Sequence, residues 1–308
     1  MSSTRHVLVP WAQLSDRMGG QWPAGLRVDV YDGDGEPPDG VDDVELYVMP
    51  YTKPGALALL DKLPSLRVLQ VLTAGVDAVI GRIGPDVRLH NGRGLHDAST
   101  AELALGLMLA AQREIPHWVD NQRQANWAPH FTRSLADSVV VILGYGSIGA
   151  ALERRLLACE CEVVRVASRP RPAENIYGPE SLPELLPKAT IVADILPSTP
   201  ATAKFLDARR LAMLPDDALV VNVGRGATVD TEALLTETAS GRLRAALDVT
   251  DPEPLPADHP LWSLPNVLIS PHVGGGSSTF YPRAEKFVVD QLRRFAAGAE
   301  LVNLVPRN

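Results

Sequence analysis

Three residues in the C-terminal half of the chain, Arg225, Glu253 and His272, are of types that together can handle a negative charge and a proton. Each stands in a loop rich in Gly or Pro: Asn222-Val223-Gly224-Arg225-Gly226, Pro252-Glu253-Pro254 and Ser270-Pro271-His272-Val273-Gly274-Gly275-Gly276. Taken singly, each has an ordinary explanation as a turn-capping Arg, a rigid bend and a structural imidazole. Taken together they supply a cation, a carboxylate and an imidazole. A guanidinium can bind a substrate carboxylate and polarise a carbonyl whose oxygen becomes anionic. An imidazole can deliver a proton, and a neighbouring carboxylate orients it and favours its charged form. The set fits reduction of a 2-keto acid, in which the hydride must come from a cofactor.

Residues 139–149 carry the features of such a cofactor site. Val139-Val140-Val141-Ile142-Leu143 reads as a strand and runs into Gly144-Tyr145-Gly146-Ser147-Ile148-Gly149, after which residues 150–159 read as a helix. The first glycine permits a tight turn, the second lets the backbone approach a pyrophosphate, and the third lets the helix pack closely on the strand. The helix start offers free amides and its positive dipole end to phosphate. A second strand, over residues 162–167, ends at Ser168-Arg169, and Ser168 is 19 residues past Gly149. An NAD site places an acidic residue near this point for the ribose hydroxyls. Here a hydroxyl and a guanidinium stand instead, followed by Arg171, and Arg pairs with a 2′-phosphate that a carboxylate would repel. NADP is the preferred cofactor; with Arg169 and Arg171 as solvated bystanders, the site would use NAD.

The elements that must position these residues follow an α/β rhythm. In the first hundred residues, stretches 7–9, 26–30, 44–48, 66–72 and 87–89 read as strands and 54–63 as a helix. Thr73-Ala74-Gly75-Val76-Asp77 follows the strongest of these strands as a loop. The acidic, Gly-rich run over residues 32–40 reads as a solvated turn, since it lacks a full calcium loop and its closing Glu. Ser99-Thr100-Ala101-Glu102 has the form of a capping box opening one long helix over residues 103–118, apolar nearly all round and so buried on more than one side. Residues 122–137 form a polar connector with Trp127 and Phe131 as its apolar anchors. Beyond the glycine motif, strands are expected at 191–196, 219–223, 245–249 and 267–270, and helices at 204–213 and 230–239. In a parallel sheet their loops share one edge with the glycine motif, where open α/β sheets bind ligands.

Composition narrows the class. The 308 residues suffice for about two domains, and the net charge of −8 argues against nonspecific nucleic-acid binding. The 2 cysteines, Cys159 and Cys161, find no further Cys or suitably spaced His, so neither a metal site nor a disulfide is expected and a reducing cytoplasm is the natural setting. No apolar run is long enough to span a bilayer, and no signal-peptide core is expected at the start.

The loop motifs, in this order, resemble those of the D-isomer-specific 2-hydroxyacid dehydrogenases. The stretches that carry the resemblance are Leu143-Gly144-Tyr145-Gly146-Ser147-Ile148-Gly149, Leu196-Pro197-Ser198-Thr199-Pro200, Asn222-Val223-Gly224-Arg225-Gly226, Leu247-Asp248-Val249, Pro252-Glu253-Pro254-Leu255-Pro256, His259-Pro260-Leu261-Trp262 and Ser270-Pro271-His272-Val273-Gly274-Gly275. Ala74-Gly75-Val76-Asp77 and Ala101-Glu102 add to it. The resemblance implies two Rossmann-like or flavodoxin-like α/β domains with parallel sheets and a cleft between them. The dinucleotide-binding domain, residues 98–278, is inserted into a substrate domain made of residues 1–97 and 279–308. It implies catalytic Arg225, Glu253 and His272, and binding of the substrate by Ala74, Gly75, Val76, Arg225 and His272. For the cofactor it implies Gly144, Tyr145, Gly146, Ser147, Ile148, Gly149, Ser168, Arg169, Pro197, Thr202, Val223, Asp248 and Thr100. Side chains expected to face the cleft include Met49, Tyr51, Leu72, Trp127, Phe280 and Tyr281. Homodimers formed through the cofactor domain are usual in this family. The absent acidic residue after the second strand is similar to the NADP-using glyoxylate and hydroxypyruvate reductases. Some relatives act instead as nucleotide-sensing corepressors, an alternative from another functional class.

Overall fold

The computed structural model describes residues 4–51 and 53–306. The chain separates into two compact units, one of Met1–His96 with Ser278–Asn308 and one of Asp97–Ser277.

In the first unit, strands β1 (Arg5–Val9), β2 (Leu26–Val30), β3 (Val44–Val48), β4 (Val68–Gln70) and β5 (Arg88–His90) form a parallel sheet in the order β2-β1-β3-β4-β5. This is the flavodoxin-like order. Alternate side chains feed two cores, because successive Cβ atoms point to opposite faces of a strand. Val7, Val9, Leu46 and Val48 pack under the helix Phe280–Ala296, while Leu8, Tyr47 and Leu69 pack on the other side with Leu59 and Leu60. Each large apolar side chain that this helix buries, such as Val288, Leu292 and Phe295, contributes about 1.5–3 kcal/mol. An exposed ion pair such as Arg294–Asp290 contributes about 0–1 kcal/mol. The apolar face therefore holds the helix in place.

The second unit contains β6 (Val139–Leu143), β7 (Glu162–Val166), β8 (Ile176–Tyr177), β9 (Ile191–Asp194), β10 (Leu219–Asn222), β11 (Arg244–Leu247) and β12 (Val267–Ile269). They form a parallel sheet in the order β12-β11-β10-β9-β6-β7-β8. Counted from β6 this is the Rossmann order with an added strand, and its topological switch point lies between β6 and β9. The helices Asp97–Gln112 and Ser147–Ala158 cover one face, where Ala101, Ala104, Met108, Leu152 and Leu156 join Val140 and Ile142. Leu186, Leu211, Leu234 and Leu261 help to cover the other.

Several expected elements differ in extent. The helix expected over residues 103–118 is two helices, Asp97–Gln112 and Ile115–Arg123, with Glu114 in the left-handed region at φ 51°. Pro116 causes the break: it lacks an N–H and its ring would strike the Gln112 carbonyl. The capping box is not used as one, because the helix begins at Asp97 and buries Ser99 and Thr100 inside it. The helix after the glycine motif starts at Ser147, with Gly146 as its N-cap. Residues 204–213 give only the short helix Ala208–Leu211: Lys204 has a positive φ, and the Asp207 side chain accepts from Arg210 N–H and starts the helix late. In the connector, Trp127 and Phe131 anchor nothing within the chain, being 94% and 105% exposed.

Candidate active site

The glycine loop sits where β6 meets the switch point. Gly144 has φ 91°, and a Cβ there would lie 2.8 Å from Ile195 O, so both its conformation and its neighbour demand glycine. Gly149 packs its helix onto β6, with an added Cβ meeting Ile142 Cγ2 at 3.3 Å. At Gly146 an added Cβ meets nothing within 4 Å, so the space before the backbone is open to a ligand. The first helical bond runs from Ala150 N–H to Gly146 O, and no side chain caps the helix start. The amides of the first turn are therefore available to an anion. These features fit a dinucleotide pyrophosphate.

Other residues expected at the cofactor take varied positions. Tyr145 is turned into the protein: its hydroxyl donates to Glu153, its ring lies 5.3 Å from the Arg165 guanidinium carbon, and its amide donates to Val166 O at 2.9 Å. Burial, then the bond to Glu153, raises the phenol above its ordinary pKa. Ser147 Oγ donates to Asp97 Oδ1 at 3.1 Å, and Ile148 is half-buried beside it. Ser168 and Arg169 are exposed at the end of β7, and Arg169 enters no ion pair among the described residues, whereas Arg171 pairs with Glu174 at 3.2 Å. Thr202 Oγ1 donates to Pro197 O at 2.5 Å and builds the turn after β9. Val223 is buried on the loop after β10, and Thr100 lies near Gly274, whose added Cβ would meet Thr100 Cγ2 at 3.4 Å.

The chemistry-bearing loops leave adjacent strands β10, β11 and β12. His272 Nδ1 lies 2.5 Å from Glu253 Oε1, so Nδ1–H donates to the carboxylate and Nε2 is left as the ring's other polar atom. His272 has φ 51°, a left-handed conformation that costs a non-glycine residue about 1–2 kcal/mol. Asp248 holds it there. The Asp248 carbonyl accepts from His272 N–H at 2.8 Å. Its carboxylate accepts from Ser270 Oγ at 2.6 Å, Val273 N–H at 2.9 Å and Gly274 N–H at 2.8 Å. A cavity of about 200 Å³ beside the pair is lined by Asp248, Thr250, Glu253, Trp262, Ser270 and His272. Arg225 follows β10, and its Nη1 donates to Gly224 O at 2.8 Å. Its loop touches the one after β11 so closely that a Cβ on Gly226 would lie 1.9 Å from Thr250 O.

In the first unit, the loop after β4 ties its carbonyls inward. Gly92 N–H donates to Thr73 O at 2.7 Å, Asn91 Nδ2 to Ala74 O at 2.8 Å and Thr73 Oγ1 to Gly75 O at 2.6 Å. The amides of Ala74, Gly75 and Val76 take no part in these bonds. Of the apolar side chains expected to face a substrate, Leu72 and Phe280 are buried in this unit's core. Tyr51 lies against Phe280 with ring centroids 4.4 Å apart and planes tilted by 37°, and Tyr281 is 57% exposed. Among the described residues, no group of three or more His, Cys, Asp or Glu is arranged to hold a metal ion, and no helix is long and apolar enough to cross a membrane.

The sequence model of the D-isomer specific 2-hydroxyacid dehydrogenase NAD binding domain matches residues 105–274, more than half of the chain. The chain belongs to the D-isomer-specific 2-hydroxyacid dehydrogenases. This dehydrogenase is 35% identical over 236 residues to the glyoxylate reductase/hydroxypyruvate reductase of Mus musculus, covering 71% of this chain and 70% of the relative. A D-isomer specific 2-hydroxyacid dehydrogenase of Xanthobacter autotrophicus Py2, solved with NADPH and MES, superposes on it with a TM-score of 0.81 at 30% identity, covering 99% of this chain and 98% of that one. An NADPH-dependent glyoxylate/hydroxypyruvate reductase of Sinorhizobium meliloti, solved with NADP and malonate, gives 0.80 at 27% identity, covering 98% and 97%. The dehydrogenase thus takes a nicotinamide dinucleotide and a small 2-hydroxy or 2-keto acid. Sequence reasoning missed the anchoring role of Asp248, because its three donors lie 22 to 26 residues away along the chain.

Proposed function

We propose that this dehydrogenase reduces a small 2-keto acid to the D-2-hydroxy acid with NADPH, His272 giving the proton. The observation that carries the reading is the His272–Glu253 contact at 2.5 Å, held by the Asp248-anchored loop. Bound at the Gly144–Gly149 turn, the cofactor would supply the hydride. Arg225 then binds and polarises the keto acid, the amides of Ala74, Gly75 and Val76 take its carboxylate, and Nε2 of His272 protonates the carbonyl oxygen. Glu253 keeps the proton on Nδ1 and stabilises the charged ring that must form before transfer. The exposed Arg169, with Ser168 beside it and no carboxylate opposing it, supports NADP over NAD. The NADP-bound relatives support the same preference.

The reading extends to assembly and setting. Trp127 and Phe131, fully exposed on the connector of the Asp97–Ser277 unit, support a homodimer in which a second copy covers them. The unpaired Cys159 and Cys161 fit a reducing cytoplasm.

The deciding assay is a panel of glyoxylate, hydroxypyruvate, pyruvate and phenylpyruvate, each with NADPH and NADH, with the configuration of the three chiral products, those of hydroxypyruvate, pyruvate and phenylpyruvate, checked by chiral chromatography. Turnover of at least one acid with NADPH is expected, with the D-configuration wherever the product is chiral. Silence across the panel would overturn the reading and favour a nucleotide-sensing role.

A further inference from the structure

Asp194 ends β9 with no exposed surface and has no part in the chemistry proposed above. Its Oδ1 accepts from Leu196 N–H at 2.9 Å, and its Oδ2 lies 2.6 Å from Thr228 Oγ1. Thr228 is equally buried, and the same Oγ1 lies 2.6 Å from the backbone carbonyl oxygen of Arg225. A threonine hydroxyl has one proton to give, yet two oxygen–oxygen contacts of this length each need one. The Arg225 carbonyl has none. The second proton must sit on Asp194, whose Oδ2–H then donates to Thr228 Oγ1 while Thr228 Oγ1–H donates to Arg225 O.

Ionisation breaks this chain. A buried carboxylate is the stronger acceptor, so it takes the Thr228 proton, and Arg225 O is left facing a lone pair at contact distance. That carbonyl still accepts from Asn222 Nδ2 at 3.0 Å and Thr228 N–H at 3.2 Å, so the loop loosens without unravelling. The surroundings favour the protonated state. Flanking strands present Leu143 and Asn222 in register with Asp194. Arg225 is the one charged residue between Asn222 and Thr228, and its Nη1 donates to Gly224 O. Of the charged residues on the adjoining segments, Lys204, whose N–H donates to Ala227 O, pairs with Asp230 at 3.1 Å, and the Asp248 carboxylate is taken up by Ser270, Val273 and Gly274. Burial pushes the Asp194 carboxyl up to about 6 against the opposing bonds from Thr228 and Leu196, with no charged neighbour contributing.

We propose that Asp194 is a positioning residue whose protonated carboxyl fixes the Arg225 backbone through Thr228, and whose ionisation releases that loop. Its kinetic consequence rests on the reading that Arg225 binds the keto acid; its effect on the loop does not. The device is a pH sensor for substrate binding, separate from the proton donor His272.

The test compares the wild type with Asp194→Asn and Thr228→Val. Asn reproduces the protonated acid at every pH, its Nδ2 donating to Thr228 and its Oδ1 accepting from Leu196 N–H. Between pH 5 and pH 8, hydrogen exchange of residues 222–228, corrected for intrinsic rates, should lose about fivefold protection in the wild type, roughly the worth of one neutral hydrogen bond. Both variants should be flat. The rise of KM for the keto acid with pH should be steeper in the wild type than in either variant, by a similar factor. The carboxyl infrared band of protonated Asp194 should appear in the wild-type minus Asp194→Asn difference at pH 5. Because the folded chain holds a proton that the unfolded chain has lost, stability from this group is complete below the ordinary carboxylate range and is lost as pH rises through about 6. Asp194→Asn should remove that slope from the melting temperature. A wild-type pH profile retained in Asp194→Asn overturns the proposal, as does a missing carboxyl band. Should Asp194→Asn fail to fold, the same profile in Thr228→Val overturns it. If the chain reduces no keto acid, only the functional reading falls, and exchange still decides the role of Asp194.

Discussion

Nδ1 of His272 meets Oε1 of Glu253 at 2.5 Å although the two residues stand 19 apart in the chain and leave different strands. The contact fixes which ring nitrogen can face a substrate. Nδ1 is committed to the carboxylate, so a proton given by His272, as proposed, would come from Nε2. Replacing His272 by Ala should lower kcat by about 10²- to 10⁴-fold, with cofactor binding, followed by the fluorescence of bound NADPH, unchanged. Glu253→Gln should also lower kcat, by a smaller factor, since a neutral amide holds the imidazole less firmly in place. Full turnover in His272→Ala would remove it from the mechanism.

Arg169 is exposed at the end of β7 and makes no ion pair among the described residues, whereas its neighbour Arg171 is engaged with Glu174. A hydrogen bond to a charged partner contributes about 1.5–3 kcal/mol, so Arg169→Asp should shift the ratio of kcat/KM for NADPH over NADH by about 10- to 100-fold toward NADH. Steady-state kinetics with both cofactors check this. An unaltered ratio would show that the 2′-phosphate is bound elsewhere.

Trp127 and Phe131 expose 94% and 105% of their surface, and a central aromatic anchor in an interface contributes about 2 kcal/mol or more. The wild type should sediment as a dimer. The double replacement Trp127→Ala with Phe131→Ala should weaken association by at least about 30-fold, at an unchanged melting temperature of the monomer. Equal dissociation constants for the two proteins would place the interface on another surface.

The sequence alone determined the class of fold and the family. Short apolar runs separated by turns mark strands of a two-layered core, and Gly144, Gly146 and Gly149 mark a phosphate turn, because backbone geometry there permits few residue types. Arg225, Glu253 and His272 stood out as candidates for a similar reason: their loops are dense in Gly and Pro and follow predicted strands, where ligands commonly bind. Contacts between distant segments were not legible. The break at Pro116, by contrast, is a local one that the proline itself signals. The anchoring of the His272 loop by Asp248 joins residues brought together only by the pairing of β11 with β12. Likewise Asp194 and Thr228, 34 residues apart, meet only because β9 and β10 pair in register. A sequence shows that Asp194 has a carboxyl group. Only the packed sheet, by removing water and placing one hydroxyl between two acceptors, decides where its proton sits.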